Sequence, residues 1–301
     1  MTRIVFLGTA GGRFATILQT RRTGGIVLQD GVQVHIDPGP GAIRAAWRYG
    51  IDPQATDVLV VTHSHTEHYG DAEIAIEAMT GGGRTKRGTL LASRSALQGE
   101  GGIGPAISSY HRGLPDRTVP LAPGGSFVAG HLAIEATPTR HSDPTGIGLR
   151  AGTSHGTVAF SSDTALSPEV MDALCGARVL VLNVTVESEL TNAMHLTPAS
   201  ARIIVERVRP EIAVLTHFSQ WLLESGPGAI ASWLERETGS WVVAADDGLV
   251  VDVGRTISLA SDSRPARLSE IESASAGRRC NGLGSPGSAS DPPSAGPKDI
   301  T

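Results

Sequence analysis

A chain of 301 residues with 40% hydrophobic residues and a mean hydropathy of −0.01 has enough apolar material for one large globular domain or two small ones, and no apolar run long enough to span a bilayer. Its formal net charge of −5 argues against a protein that grips a long polyanion by bulk charge, so nucleic acid is not favoured as a partner. With only Cys175 and Cys280, a disulfide framework is not the reading, and both are taken as spectator thiols.

The first residues, MTRIVFLGTAGG, enter a strand-like run without a signal-type apolar stretch, from which we expect a cytoplasmic protein with no membrane partner. Further along, short β-branched runs bounded by Gly-rich turns predict strands over 4–7, 25–28, 32–36, 58–62, 89–92, 132–136, 146–150, 157–161, 179–183, 212–216, 241–244 and 249–253. Amphipathic spacing predicts helices over 42–48, 72–79, 168–174, 198–207 and 228–237. Strands dominate both halves while helices punctuate them, which implies an α+β fold of two packed sheets with helices outside. From residue 258 to 301 the chain is rich in Ser, Gly, Pro and Ala, and its five basic and five acidic residues cancel. That tail is expected to be disordered, leaving residues 1–257 as the folded domain.

The stretch VLVVTHSHTEHYGDA (58–72) packs His63, His65, Glu67 and His68 into six positions directly after an apolar strand. Histidine has no special turn chemistry, so a loop alone does not account for it. His141, Asp163 and His217 each sit where another apolar run ends. Side chains leaving several strand ends at one sheet edge can converge, and imidazole and carboxylate are the ligands that borderline cations such as zinc accept. Two ligand triplets sharing Asp163 would hold two cations roughly 3.5–4 Å apart. By contrast His35, His111, His131 and His155 lack such partners and are read as hydrogen-bonded loop residues.

On these residues the chain resembles the metallo-β-lactamase superfamily. The resemblance runs from FLGTAGG (6–12) to AADDGLVVDV (244–253) and implies an αββα sandwich, two packed mixed sheets flanked by helices, with a dinuclear site along one edge. Asp37 in HIDPGPG matches the first motif, a mainly structural aspartate. His63, His65, Glu67 and His68 match the second, His141 the third, Asp163 in FSSDT the fourth and His217 in LTHFS the last. LGTAGG, RHSDPTGIGLR, HLTPASA and VLTHFS are more narrowly similar to the ribonuclease Z-like phosphodiesterase branch. That likeness gives His195 of HLTPASA the role of assisting a phosphodiester leaving group; Thr197 and Pro198 read equally well as a helix cap and first turn, and both can hold together. Three departures stand out. Glu67 replaces the family's aspartate, Asn183 stands where a glutamate would pair with the H-x-T histidine, leaving Glu187 or Glu189 as substitutes, and only 21 residues separate His141 from Asp163, too few for a tRNA-gripping arm.

The resulting expectation is a hydrolase with two divalent cations, zinc first and manganese or iron as alternatives. A metal-bound hydroxide would attack a small, cyclic or nucleotide-like phosphodiester, with Glu67 and His195 as catalytic groups. His63, His65 and His141 would hold one cation, Glu67, His68 and His217 the other, and Asp163 would bridge. The alternative substrate is a carbonyl compound such as a lactone, thioester or β-lactam, and a non-catalytic metal-binding protein ranks below both. Phosphorus is preferred because of His195 and Arg140, whose guanidinium suits phosphate oxygens. The expected partner is a small anionic substrate, and a homodimer is compatible with the sequence. The basic stretches QTRRTGG (19–25) and GGGRTKRG (81–88) read first as solubility features and second as loops lining the cleft.

Overall fold

The computed structural model describes residues 1–186, 194–261 and 271–272. Its strands are β1 (Thr2–Phe6), β2 (Ile26–Gln29), β3 (Gln33–Ile36), β4 (Val58–Val61), β5 (Thr89–Ala92), β6 (Arg117–Pro120), β7 (Ser126–Ala129), β8 (Leu132–Pro138), β9 (Ile147–Thr153), β10 (Gly156–Phe160), β11 (Val179–Asn183), β12 (Ile212–Thr216), β13 (Trp241–Ala244), β14 (Leu249–Val253), β15 (Thr256–Ser261) and β16 (Ile271–Glu272). The helices are α1 (Gly12–Leu18), α2 (Ala42–Arg48), α3 (Thr66–Tyr69), α4 (Ala72–Met79), α5 (Arg94–Gln98), α6 (Ser109–Arg112), α7 (Pro168–Leu174), α8 (Pro198–Val208), α9 (Gln220–Ser225) and α10 (Pro227–Thr238).

The strands form two mixed sheets, ordered β16-β15-β14-β1-β2-β3-β4-β5-β6 and β13-β12-β11-β10-β9-β8-β7. Period-2 alternation sorts their side chains into layers. In β1, Ile4 and Phe6 enter the cluster between the sheets, while Val5 and Leu7 face Ala42, Ala45 and Ala46 of α2. Leu59, Val61, Leu90 and Ala92 turn outward onto α4 and α5. On the other side, Leu180, Leu182, Ala213 and Leu215 pack against α7, α8, α9 and α10. A helix layer thus covers each outer face, because central strands apolar on both sides need cover on both. The result is the αββα sandwich. Thr197 caps α8 by accepting from Ser200 N, with Pro198 at its first turn, so the capping expectation for HLTPASA is met.

Two expectations need correction. The sheet does not stop at 257: Ser258–Ser261 continue β15, whose backbone pairs antiparallel with Leu249–Val253, so ladder bonding keeps these residues in the domain despite their Ser/Ala composition. Most of the expected disordered tail, 262–270 and 273–301, lies outside the described residues. Nor is Cys175 a spectator thiol. No described cysteine is free, Cys175 included, while Cys280 lies outside the described residues. The basic loops are tied down, Arg21 to Asp246, Arg22 to Asp247 and Arg87 to Asp57. Among the described residues no helix is long and apolar enough to cross a membrane.

Of the four histidines read as loop residues, His111, His131 and His155 are hydrogen-bonded at surface helix or turn positions, but His35 lies inside β3. It is fully buried with Nε2 unpartnered, and burial pulls its pKa down to about 4, only partly opposed by Asp37. The unfolded chain therefore takes up a proton near pH 6.5 that the folded one refuses until about pH 4. The neutral imidazole's contribution is complete above pH 6.5, falls as pH drops through that window and is flat below it. A shift of this size is worth about 3 kcal/mol. In urea unfolding between pH 7 and 4, H35L should lose less stability than wild type by an amount of that order; parallel pH profiles would contradict the assignment.

Candidate metal centre

Parallel pairing places the functional side chains. β3 and β4 run parallel, as do β10, β11 and β12, so their C-terminal ends share an edge. From these ends come Asp37 after β3, His63 and His65 after β4, Asp163 after β10, Asn183 at the end of β11 and His217 after β12. His141 follows β8, and the short α3 carries Glu67 and His68. Five non-glycine residues among those described have positive φ, and Asp37 (49°), Ser162 (53°) and His217 (61°) are three of them. Backbone in this sparsely populated region is held by its surroundings and clusters at functional sites.

Two groups of ligand atoms form there. His63, His65, His141 and Asp163 make one, Glu67, His68 and His217 the other, with the offered atoms of each group within 4.8 Å of one another. His65 Nδ1 lies 3.2 Å from His63 Nε2 and 3.1 Å from His141 Nε2, and His68 Nε2 lies 3.0 Å from His217 Nε2. Ring nitrogens facing each other this closely repel as bare lone pairs unless a cation or a shared proton lies between them. The opposite ring nitrogens are already committed. Thr62 Oγ1 spends its proton on Asp37 Oδ2 (2.7 Å), so it accepts from His63 Nδ1 (3.1 Å). His68 Nδ1 donates to Asp37 Oδ2 (2.9 Å) and His141 Nδ1 to the Met194 carbonyl (3.1 Å), while His217 Nδ1 pairs with Thr185 Oγ1 (2.9 Å). Engaging the far nitrogen fixes ring orientation and tautomer, the arrangement that accompanies metal-ligating histidine.

Asp163 sits between the groups, fully buried, with Oδ2 lacking a hydrogen-bond partner. That oxygen is 3.5 Å from His68 Nε2, 4.0 Å from His63 Nε2 and 3.6 Å from His195 Nδ1. Its other oxygen accepts from Asn183 Nδ2 at 2.7 Å. Burial alone would raise this carboxyl's pKa, but His217 and His68 hold it well below the usual range. Burial similarly opposes charge on His68, yet Asp163 and Asp37 override it and keep the group well above its ordinary value. Burial dominates at His63, His65, His141 and His217 and lowers all four, His217 to about 4, so these are neutral imidazoles near pH 7, the form that binds metal. Orphaned buried oxygen, converging lone pairs and neutral rings together fit a pair of divalent cations.

His195 belongs to neither group. It is mostly buried, with its ring 4.8 Å from that of His141 and its Nδ1 facing Asp163. Glu187 and Glu189, the expected substitutes for a partner glutamate, lie outside the described residues. Arg140 is exposed next to His141. Several supporting residues escaped sequence reasoning. Asp143 accepts from Ser64 N (2.9 Å) and Ser95 Oγ (2.5 Å), pinning the His63–His65 loop, and its place within RHSDPTG was the available signal. Thr62, Thr185 and Ser162 carry no such signal. Gly11 is required sterically, since a Cβ there would lie 2.1 Å from His217 Nδ1.

A model of the beta-lactamase superfamily domain matches residues 33–218. An uncharacterized protein of Methanocaldococcus jannaschii is 35% identical over 253 residues, covering 83% of this chain and 94% of that protein. Among solved structures, the metallo-beta-lactamase fold protein YhfI from Bacillus subtilis aligns with a TM-score of 0.68 at 18% identity, over 83% of this chain and 98% of that one. A diphosphatase from the PhnP family gives 0.62 at 20% identity, over 84% and 98%. The short form of human tRNase Z gives 0.61 at 16%, over 84% and 99%. At these identities the three structures share a fold with this chain.

If Asn183 aligns the Asp163 carboxylate, N183L should weaken zinc binding about 10–100-fold, the usual effect of removing a ligand's hydrogen-bond partner. Competition against a chromophoric chelator measures this, and two zinc ions bound with wild-type affinity would contradict the role.

Proposed function

The chain belongs to the beta-lactamase superfamily, with a metallo-β-lactamase fold and ribonuclease Z-like relatives, and from that premise we propose that this metal-dependent hydrolase cleaves a small phosphodiester, cyclic or nucleotide-like. The observation carrying the proposal is His195: a histidine beside the ligand groups, outside both, with Nδ1 facing Asp163 Oδ2 at 3.6 Å. Expulsion of an unactivated alkoxide from phosphorus needs a proton donor at the departing oxygen, whereas a thioester's thiolate leaves without one. Neighbours named as a diphosphatase and a tRNase Z support chemistry at phosphorus.

In this reading His63, His65 and His141 would hold one divalent cation and Glu67, His68 and His217 the other, with Asp163 available to either; zinc is the first choice, manganese and iron the alternatives. When bound, such a pair acidifies water and offsets charge on phosphoryl oxygens. The chain's own residues do the remainder. Asp37 ties His68 to the β3–β4 edge, Asn183 holds Asp163, and Asp163 faces His195 so that its far nitrogen is available to the departing oxygen. The exposed Arg140 meets phosphate oxygens. A small substrate is favoured because the 21 residues between His141 and Asp163 are taken up by β9, β10 and their short connections, with no arm to grip tRNA.

Removing His195 separates leaving groups. Nitrophenolate departs without a proton, whereas a ribose alkoxide needs one. H195A should therefore slow hydrolysis of a cyclic nucleotide about 10²–10⁴-fold while affecting bis-nitrophenyl phosphate far less and leaving metal content at the wild-type level. Equal losses on both substrates, or parallel loss of metal, would remove the general-acid role. Faster turnover of a thioester or lactone than of any phosphodiester would overturn the phosphorus assignment itself.

A further inference from the structure

Eleven large apolar side chains are exposed among the described residues, and five of them, Phe14, Ile17, Leu18, Met194 and Trp221, lie on segments bordering the metal centre. α1 follows its N-cap Gly11, which abuts the His217 ring and donates its N–H to the Phe218 carbonyl at 2.9 Å. α9 starts just after Ser219, putting Trp221 four residues beyond His217. The far end of α1 is fastened too, through Thr20 Oγ1 to Gln220 Oε1 at 2.9 Å. Both short helices are therefore held against the chain that carries a candidate ligand.

On α1, Ala15 turns inward while Phe14, Ile17 and Leu18, spaced i, i+3 and i+4, share the outward face. Phe14 and Trp221 meet edge to face with centroids 5.2 Å apart and planes at 76°, and are 56% and 53% exposed. Arg13, exposed one residue before Phe14, makes no ion pair or hydrogen bond among the described residues. The patch is small. Four part-exposed side chains give on the order of 400 Å² of apolar surface, in the range of functional patches on monomers and about half of the ~800 Å² per partner that a standard protein interface buries. It fits a ligand better than a second copy of the chain.

We propose that Phe14 and Trp221 form a stacking platform for an aromatic ring carried beside the scissile phosphate, which narrows the substrate class to phosphodiesters of an aryl or nucleoside alcohol. This rests on the phosphodiester reading. The ring lies against the aromatic pair while Arg13 and the centre attract the phosphate, so affinity comes from two contacts of different chemistry. Neither needs a base-specific hydrogen bond, and the platform discriminates ring from no ring.

Calorimetric titration of the zinc-loaded protein tests it without relying on turnover. AMP and phenyl phosphate should each bind about tenfold or more tightly than ribose 5-phosphate and methyl phosphate; an advantage for only one of the two aromatic probes identifies whether a nucleobase or an aryl group is taken. F14A/W221A should erase the advantage and leave methyl phosphate affinity within about twofold, whereas F14Y/W221F should keep it. Equal affinity for ringed and ringless probes overturns the platform, as does loss of the preference in F14Y/W221F. So does a wild-type dimer that F14A/W221A splits in sedimentation. The two readings fail separately. Ring preference without cleavage of any phosphodiester sinks the phosphodiester reading alone, and cleavage with no ring preference sinks the platform alone.

Discussion

A charged carboxylate buried to the last atom is the constraint around which this molecule is organised. Asp163 has one oxygen satisfied by Asn183 and the other bare, in a place where an unpaired charge costs several kcal/mol. Histidines surround that oxygen, and His68 in turn leans on a second carboxylate, Asp37. Charge alternates from Asp37 through His68 to Asp163. Removing any member leaves its neighbour buried and unpaired, which is strongly destabilising. Divalent cations would complete the compensation from the open side.

Topology makes that density of polar groups affordable. Parallel β3–β4 and β10–β11–β12 bring their C-terminal ends to one edge, where loops leave the sheets and the backbone no longer competes for hydrogen bonds. The apolar layers beneath, Ile4, Phe6, Val60, Val181 and Val214 among them, stay free of charge. Left-handed backbone at Asp37, Ser162 and His217 is strain concentrated at the same edge, paid back by the bonds that Asp37 makes to Thr62 and His68.

Much of this was legible in the amino-acid order, and each exception has a physical cause. The central strands announce themselves through continuous β-branched runs, so 89–92, 179–183, 212–216, 241–244 and 249–253 coincide with β5, β11, β12, β13 and β14. β6 and β7 went unseen because Arg117–Pro120 and Ser126–Ala129 are half-exposed strands at sheet edges with little apolar signal. α1 went unseen for the opposite reason: it follows two glycines and turns its larger apolar residues outward, so the usual rule of apolar side inward finds no helix there. The converging histidines could be read because histidine is rare at strand ends. Their supports could not, since Thr62, Thr185 and the Met194 carbonyl are ordinary residues until the fold brings them near. Asn183 was noticed only as a missing glutamate; the structure gives it a partner of its own, Asp163.

Two carboxylate-and-imidazole triplets do not choose between phosphorus and carbon, because the chemistry they enable suits either centre. Choice must come from what stands around them. Three features do so independently here: a histidine outside both triplets with a nitrogen to spare, an exposed guanidinium next to His141, and an aromatic pair on helices tethered to the His217 segment. On the proposed reading each would act on a different part of the substrate, the departing oxygen, the phosphoryl oxygens and a flat group beyond them. A lone proton donor would serve many reactions and a lone cation many anions. Together, on that reading, they would select a phosphate placed between an oxygen that must leave protonated and a ring that must be held, which is a narrower demand than the ligands impose by themselves.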